Sequence, residues 1–193
     1  MTFMRPQAVL LAAVALLAQP ALLAAIVAPA IERAAIAVRS PGRAVLLAAD
    51  KAGARLVAVG EHGVVALSDD QGITWRQARV VPTSVSLAAV RFADERSGWA
   101  VGHGGVILRT TDGGETWLRQ ADGRSLAQAA LAASARSADD RQTKAAQRLV
   151  DDGPDKPLMD IIAFNAQQAL VVGAYGLAFE TADGGKTWTS VMG

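Results

Sequence analysis

Residues 97–120 read SGWAVGHGGVILRTTDGGETWLRQ, and altered copies of the same pattern stand on either side: RLVAVGEHGVVALSDDQGITWRQ at 55–77 and ALVVGAYGLAFETADGGKTWTS at 169–190. Each copy holds Val-Gly, two residues and a Gly, then an apolar run, then [Ser/Thr]-x-Asp-x-Gly-x-Thr-Trp. That last element is Ser68, Asp70, Gly72, Thr74 and Trp75 in the first copy, and Thr110, Asp112, Gly114, Thr116 and Trp117 in the second. In the third it is Thr181, Asp183, Gly185, Thr187 and Trp188. A single match would be weak; three at the same place in the same repeat define a unit.

Asp112 follows Asp70 by 42 residues, within the period of about 40 to 50 that builds one four-stranded propeller blade. Asp183 follows Asp112 by 71 residues, one period plus an insertion. The chain is therefore expected to be all-β: a β-propeller of four-stranded blades, with three blades present, the ring incomplete, and a helical insertion between blades two and three. The division is 1–30 as a signal peptide or anchor, 31–44 as an N-terminal approach, and 45–193 as the blades (45–80, 86–120 and 158–192), interrupted by the insertion at 121–157. Expected strands are 45–49, 56–59, 64–68 and 74–79 in blade one, and 87–92, 99–101, 106–110 and 116–120 in blade two. Blade three repeats them at 159–164, 170–172, 177–181 and 187–192. The first three strands of each blade are near-continuous apolar runs, as where both sheet faces are covered by neighbouring blades; the fourth is more polar and suits an outer edge.

Half of the residues are hydrophobic and under a fifth are charged, so the chain can bury a core. There is no cysteine, which excludes a disulfide framework and thiolate metal sites. One charge, Arg5, precedes an uncharged apolar stretch at 8–30, the pattern of an export signal or a membrane anchor; Ala28 and Ala30 offer an Ala-x-Ala cleavage site, while Gln19-Pro20 interrupts the run. The expected location is outside the cytoplasm, periplasmic or in a thylakoid-lumen-like space, with membrane association through the N-terminus if the stretch is kept. Cutting behind Ala30 would leave 18 bases against 18 acids. Without a basic excess or a basic face, nucleic acid is not an expected partner.

The [Ser/Thr]-x-Asp-x-Gly-x-Thr-Trp element fits a hairpin between strands three and four. Asp and Ser or Thr side chains bond the turn's own amides, Gly supplies a positive φ, and Trp covers apolar surface. Catalysis by Asp70, Asp112 and Asp183 would require them to converge, whereas repeats on separate blades keep them apart.

The three Asp boxes, with Gly98-Trp99-Ala100-Val101-Gly102 upstream of the second, resemble the bacterial neuraminidase-type (BNR, Asp-box) repeats, and look most like the photosystem II stability/assembly factor family. The resemblance runs over 45–192. It implies an exported, non-catalytic propeller, usually of seven blades, that helps a membrane complex assemble by binding a protein subunit. Three blades are too few to close a ring of four to eight. That leaves two expectations: the remaining blades lie in a longer chain, or the unit self-associates.

In a four-stranded meander the second-to-third turns lie on the face opposite the Asp boxes. These turns are Gly60-Glu61-His62-Gly63, Gly102-His103-Gly104-Gly105 and Gly173-Ala174-Tyr175-Gly176, and they put both histidines and the single tyrosine on the face that receives the insertion. Glu61, His62, His103 and Tyr175 are accordingly candidate partner contacts, with solvent-exposed turns as the plainer reading. His62 and His103, with Glu61 the one acid beside them, fall short of a zinc site, and no cofactor is expected.

Within the insertion, Ser125 is expected to cap a helix through Ala133, and Ser137-Ala138-Asp139-Asp140 to open a second one reaching Val150 and stopped by Asp152-Gly153-Pro154. Ala145 and Leu149 would share its apolar side, while Arg141, Lys144 and Arg148 line another. The basic stripe is a candidate dock for an acidic segment or lipid headgroups; a solvated face is the alternative.

A rigid ring with variable loops suits a binding scaffold, and nothing resembles a nucleophile held by a base. The competing class is an exported sialidase-like glycosidase, which needs an arginine cluster and a Tyr nucleophile with a Glu partner; Tyr175 is the sole tyrosine and lies in a repeat turn. A glycan-binding surface protein is not separable from the scaffold at this level.

Overall fold

The computed structural model describes residues 28–136 and 140–191. Twelve strands form three separate four-stranded antiparallel sheets, each a simple meander in chain order. Blade one is β1 (Leu46–Ala52), β2 (Arg55–Gly60), β3 (Val65–Ser68) and β4 (Arg76–Gln77). Blade two is β5 (Leu87–Phe92), β6 (Gly98–Gly102), β7 (Ile107–Thr110) and β8 (Leu118–Ala121). Blade three is β9 (Leu158–Ala163), β10 (Ala169–Gly173), β11 (Ala178–Thr181) and β12 (Thr189–Ser190). The first strands stand side by side, β5 between β1 and β9, so the sheets form an arc of an all-β propeller. The helices α1 (Gly123–Ser134) and α2 (Asp140–Asp151) lie between blades two and three in the chain.

The fourth strands are shorter than the sequence pattern predicts: β4 and β12 have two residues each rather than six. Thr74 and Trp75 are taken up by the Asp-box turn, in which the Thr74 amide bonds Asp70. Past β4 the chain leaves its own sheet to join the next blade: the Arg79 amide bonds the Glu115 carbonyl, and Val80 accepts from the Trp117 amide.

Two cores lie between the blades. Val57, Val59, Val65 and Leu67 of blade one meet Val90, Leu108 and Trp117 of blade two. On the other side Trp99, Val101 and Ile107 meet Ile161, Val171, Phe179 and Trp188 of blade three. The Asp-box tryptophan of each later blade is thus a plug against the blade before it; Trp117 is fully buried and meets the Phe92 ring edge-on, with centroids 6.2 Å apart. Burying such a side chain contributes about 1.5–3 kcal/mol.

The cover on the two sheet faces is uneven, which corrects the expectation that every blade is covered on both. Blade two alone has a blade on each side. Residues 30–44, read from sequence as a mere approach, form a strap on blade one. The Val38 amide donates to Gln77 Oε1 (3.0 Å), Gln77 Nε2 donates to the Ile36 carbonyl (2.8 Å), and the short 3-10 turn Pro41–Arg43 packs on β3 and β4. The Gly42 backbone lies so close to the Trp75 indole that a Cβ there would be 2.7 Å from it. Ala58 and Ala66, which alternate with the residues facing blade two, are buried. Blade three has no such strap among the described residues: Ile162 (52% exposed), Phe164 (62%) and Val172 (41%) stand on its open side.

Candidate partner-binding rim

The Asp-box hairpins occupy one rim of the arc. In blade two the Thr116 amide (2.9 Å) and hydroxyl (2.6 Å) both donate to the Asp112 carboxylate, and Thr110 Oγ1 donates to Asp112 while accepting from the Gly114 amide. Blades one and three repeat this with Ser68, Asp70 and Thr74, and with Thr181, Asp183 and Thr187. Bonds from the Thr74 and Thr187 hydroxyls, then from their amides, hold Asp70 and Asp183 down to about 2. At Asp112 burial opposes ionisation, and the Thr116 and Thr110 bonds outweigh it to leave the carboxyl below its ordinary value. These carboxylates are occupied as turn acceptors, one to a blade. The hairpins of blades two and three are tied to the first-to-second turns of their own sheets: Gly113 N to the Arg96 carbonyl, Gly184 N to that of Gln167.

The opposite rim carries the second-to-third turns, and here each blade's entry strand crosses the turn at close quarters. Glu61, His103 and Ala174 donate their amides to the carbonyls of Val45, Ser86 and Pro157. The preceding glycines are extended, and side chains could not fit: a Cβ on Gly60, Gly102 or Gly173 would lie 1.9, 2.1 or 2.5 Å from those same carbonyls. The glycine of Val-Gly therefore answers a tertiary approach and not the turn itself. The third turn residue is left-handed in all three blades: His62 (φ 56°), Gly104 (φ 67°) and Tyr175 (φ 61°). A bulky residue held there costs about 1–2 kcal/mol. His62 is thus the counterpart of Tyr175, while His103 occupies the place of Glu61 and Ala174; the two histidines are not equivalent.

The helical hairpin comes down on this rim. Asp122, and not Ser125, caps α1: its carboxylate accepts from the Arg124 and Ser125 amides at 3.0 Å, and Ser125 Oγ accepts the Asp122 amide in return. Ser125 is the third helical residue of a capping box, so the first helix starts earlier than expected. Of the expected start of the second helix, 137–139 lie outside the described residues. In α2 the buried residue is Ala146, with Leu149 partly buried, whereas Ala145 is exposed. The phase is set by packing Ala146 into the core that holds Leu126 and Ala130 of α1. Arg141, Lys144 and Arg148 are exposed, as the stripe requires.

Between the hairpin and blade three lies a cleft of about 300 Å³. Ala130, Ser134, Gln142 and Ala146 wall one side; Tyr175, Gly176 and Ser190 wall the other. Tyr175 is 79% exposed, with Lys156 Nζ 5.5 Å from its ring centre. The structure thus puts Tyr175 beside the insertion, while Glu61 and His62 sit two blades away. Lys156, Gln142 and Ser134 were not singled out from sequence, because no periodicity marks a residue that matters by facing another element. Among the described residues no group of three or more His, Cys, Asp or Glu is placed to hold a metal.

Comparison with known proteins fits this geometry. A BNR/Asp-box repeat matches residues 66–77, the first Asp box. A solved structure of YCF48 bound to D1 peptide superposes with a TM-score of 0.55 at 21% identity, over 81% of this chain and 45% of that one. The fold is that of a YCF48-like propeller. A second structure, YCF48 from Cyanidioschyzon merolae, gives a TM-score of 0.54 at 21% identity, over 81% of this chain and 39% of that one. The chain therefore spans less than half the length of the YCF48 structures it matches. No curated protein matches the sequence.

Proposed function

We propose that the chain is a non-catalytic, protein-binding propeller segment that assists the assembly or stability of a membrane complex, in the manner of a photosystem II assembly factor. The supporting observation is the likeness to YCF48, a structure of which holds a D1 peptide. The rim offers what a peptide needs. Tyr175 is presented by a constrained turn, the adjacent cleft is lined by small residues together with the polar Ser134, Gln142 and Ser190, and the cations Arg141, Lys144 and Arg148 lie on the same helix as Gln142. A protein subunit would lay a small or polar residue in the cleft and acidic ones along the helix. Glu61, His62 and His103 continue the rim for a longer partner.

Affinity capture from crosslinked membranes, read by mass spectrometry, tests this. A membrane-complex subunit should come down with the wild-type chain. Capture should fall at least about tenfold for Tyr175→Ala combined with Arg141, Lys144 and Arg148 each changed to Glu, a loss of about 1.4 kcal/mol or more. Unchanged capture would overturn the assignment of the rim, and turnover of a fluorogenic sialoside would overturn the non-catalytic reading.

We also propose export, with the stretch at 8–30 as signal or anchor. Among the described residues no helix is long and apolar enough to cross a membrane. The Ala30 carbonyl accepts from both the amide (2.8 Å) and the hydroxyl (3.0 Å) of Ser84. A cut behind Ala30 would remove that acceptor from the strap. Sequencing the first residues of the mature chain distinguishes a strap starting at Ile31 from one still continuous through Ala30.

A further inference from the structure

The strap enters the fold at the rim of the second-to-third turns and is fastened there from several sides. The Pro29 carbonyl accepts the Glu32 amide at 2.9 Å, and the Ala30 carbonyl takes the amide and hydroxyl of buried Ser84, in the link between blades one and two. Arg119 of blade two donates to the Ile31 carbonyl, and the Ile31 side chain stands over the turn of the same blade, 3.3 Å from where a Cβ on Gly104 would be. The Ala35 amide then bonds the Val81 carbonyl, and the Ile36 amide bonds that of His62 in blade one. The entry point is therefore a fixed part of this rim, and the Asp boxes lie at the other end of the strands.

Directly upstream lies the apolar stretch. Its residues 8–27, outside the described residues, number 20 and include no charged one, with Gln19-Pro20 as the interruption. About 20 such residues are what a helix needs to span a hydrocarbon core. Three peptide steps separate Val27 from Ala30, a reach of about 10 Å at full extension, and no polar spacer stands between stretch and fold. A chain that began at Ile31 would leave the buried Ser84 amide without its acceptor. The fold thus uses residues on the far side of the Ala28-x-Ala30 cleavage pattern.

We propose that residues 8–27 stay in the membrane and that the short tether holds this rim against the lipid headgroups, with the Asp-box rim turned away from the bilayer. The proposal rests on the anchor reading of the stretch and adds an orientation to it. Blade strands of five to seven residues rise about 17–23 Å, roughly twice what the tether can reach, so the two rims stand at different heights above the lipid. Charge is not what holds the rim there: its exposed Arg33, Arg124 and Arg148 are matched by Glu32, Glu61 and Asp151, so a neutral lipid surface serves as well as an anionic one. At headgroup level the cleft beside Tyr175 is within reach of the membrane-surface segments of an embedded protein, which narrows the partner of the rim to those segments.

The absence of cysteine makes the test direct, because single cysteines can report height. Glu61→Cys and His103→Cys on the near rim, and Ile73→Cys and Lys186→Cys on the Asp-box rim, are all at exposed sites and should keep the wild-type melting temperature. Each is labelled with bimane in the full chain, reconstituted in phosphatidylcholine vesicles that carry a nitroxide on some headgroups. The near-rim pair should lose most of its fluorescence and the other pair little, at low and high salt alike. A Gly-Ser spacer of about 20 residues between Val27 and Ala28, about 25 Å from end to end, should bring the near-rim pair to the level of the other. Equal quenching at the two rims, or stronger quenching at the Asp boxes, would overturn the orientation even with Met1 retained; a mature chain beginning at Ile31 would overturn anchor and orientation together. Near-rim quenching that survives the spacer, or that salt removes, would assign the contact to lipid affinity and defeat the tether. The vesicles hold no partner protein, so a failure to capture a membrane-complex subunit leaves this result standing, and the reverse.

Discussion

Blade one and blade three each have one neighbouring blade, and their remaining faces have opposite fates. On blade one, residues 30–44 lie across the outer strands, so Ala58 and Ala66 are as buried as residues between blades. On blade three the matching surface, with Ile162, Phe164 and Val172, is crossed by no described segment and stays exposed. The tryptophans show the same asymmetry: Trp117 and Trp188 are buried against a preceding blade, whereas Trp75 has only the strap and is partly exposed. An apolar strand face specifies that it be covered; it does not specify by what.

The sharpest way to break this comparison is to truncate the tryptophans. Trp117→Ala should lower stability by about 3–5 kcal/mol, because it empties the joint between blades one and two. Trp75→Ala, under the strap alone, should cost about 1–2 kcal/mol, since less area leaves water. Urea denaturation followed by circular dichroism reads both, and equal losses would mean that the strap packs like a blade.

The Asp-box glycines give a smaller contrast. Gly114 and Gly72 both have positive φ, but a Cβ on Gly114 would press on Leu67 at 3.3 Å, while on Gly72 the nearest atoms are 3.7 Å away. Gly114→Ala should cost about 2–3 kcal/mol and Gly72→Ala about 1 kcal/mol, the backbone strain alone. Gly42→Val tests the strap itself. Its Cβ would meet the Trp75 ring, and a loss of about 1–2 kcal/mol is expected, with faster hydrogen exchange at the Val38 and Ile36 amides. Unchanged exchange would show that the strap is not held through Trp75.

The smallest effect is electrostatic. Asp70 and Asp183 sit at about 2 in the fold against an ordinary 3.8, so their contribution is fully present above the ordinary value and is lost as pH falls toward 2. Asp70→Asn and Asp183→Asn should each flatten the fall of melting temperature over that interval and leave neutral-pH stability slightly reduced. Undiminished acid sensitivity in the double variant would assign it to other carboxylates, such as Asp69 and Glu115, which arginines hold low.

Much of this architecture was legible from residues 97–120 and their two copies, because the Asp-box turn is local. Its bonds join positions two to four residues apart, so the pattern of Thr110, Asp112, Gly114 and Thr116 carries the geometry with it. The strand order followed from the repeat length. Helix α1 is legible, but it begins three residues before the start that Ser125 suggests, since Asp122 and Ser125 can both cap and only the path of the chain from β8 chooses between them. The apolar phase of α2 was read one residue off because Ala145 and Ala146 are chemically identical, and contact with α1 decides. At the candidate rim Tyr175 is recognisable as an outlier in a repeat turn, but its cleft is not, because Ser134 and Gln142 belong to the helical insertion and Ser190 to the last strand of blade three.

By itself the sequence determined the blade: a recurring hairpin whose hydrogen bonds are short-range, and strands whose near-continuous apolar runs demand cover on both faces. Tertiary structure alone decided what provides that cover, and why Gly60, Gly102 and Gly173 must lack a side chain, since both depend on where a remote carbonyl or strap arrives. Local bonding is written in spacing, whereas the partner of a sheet face is set by whichever surface reaches it.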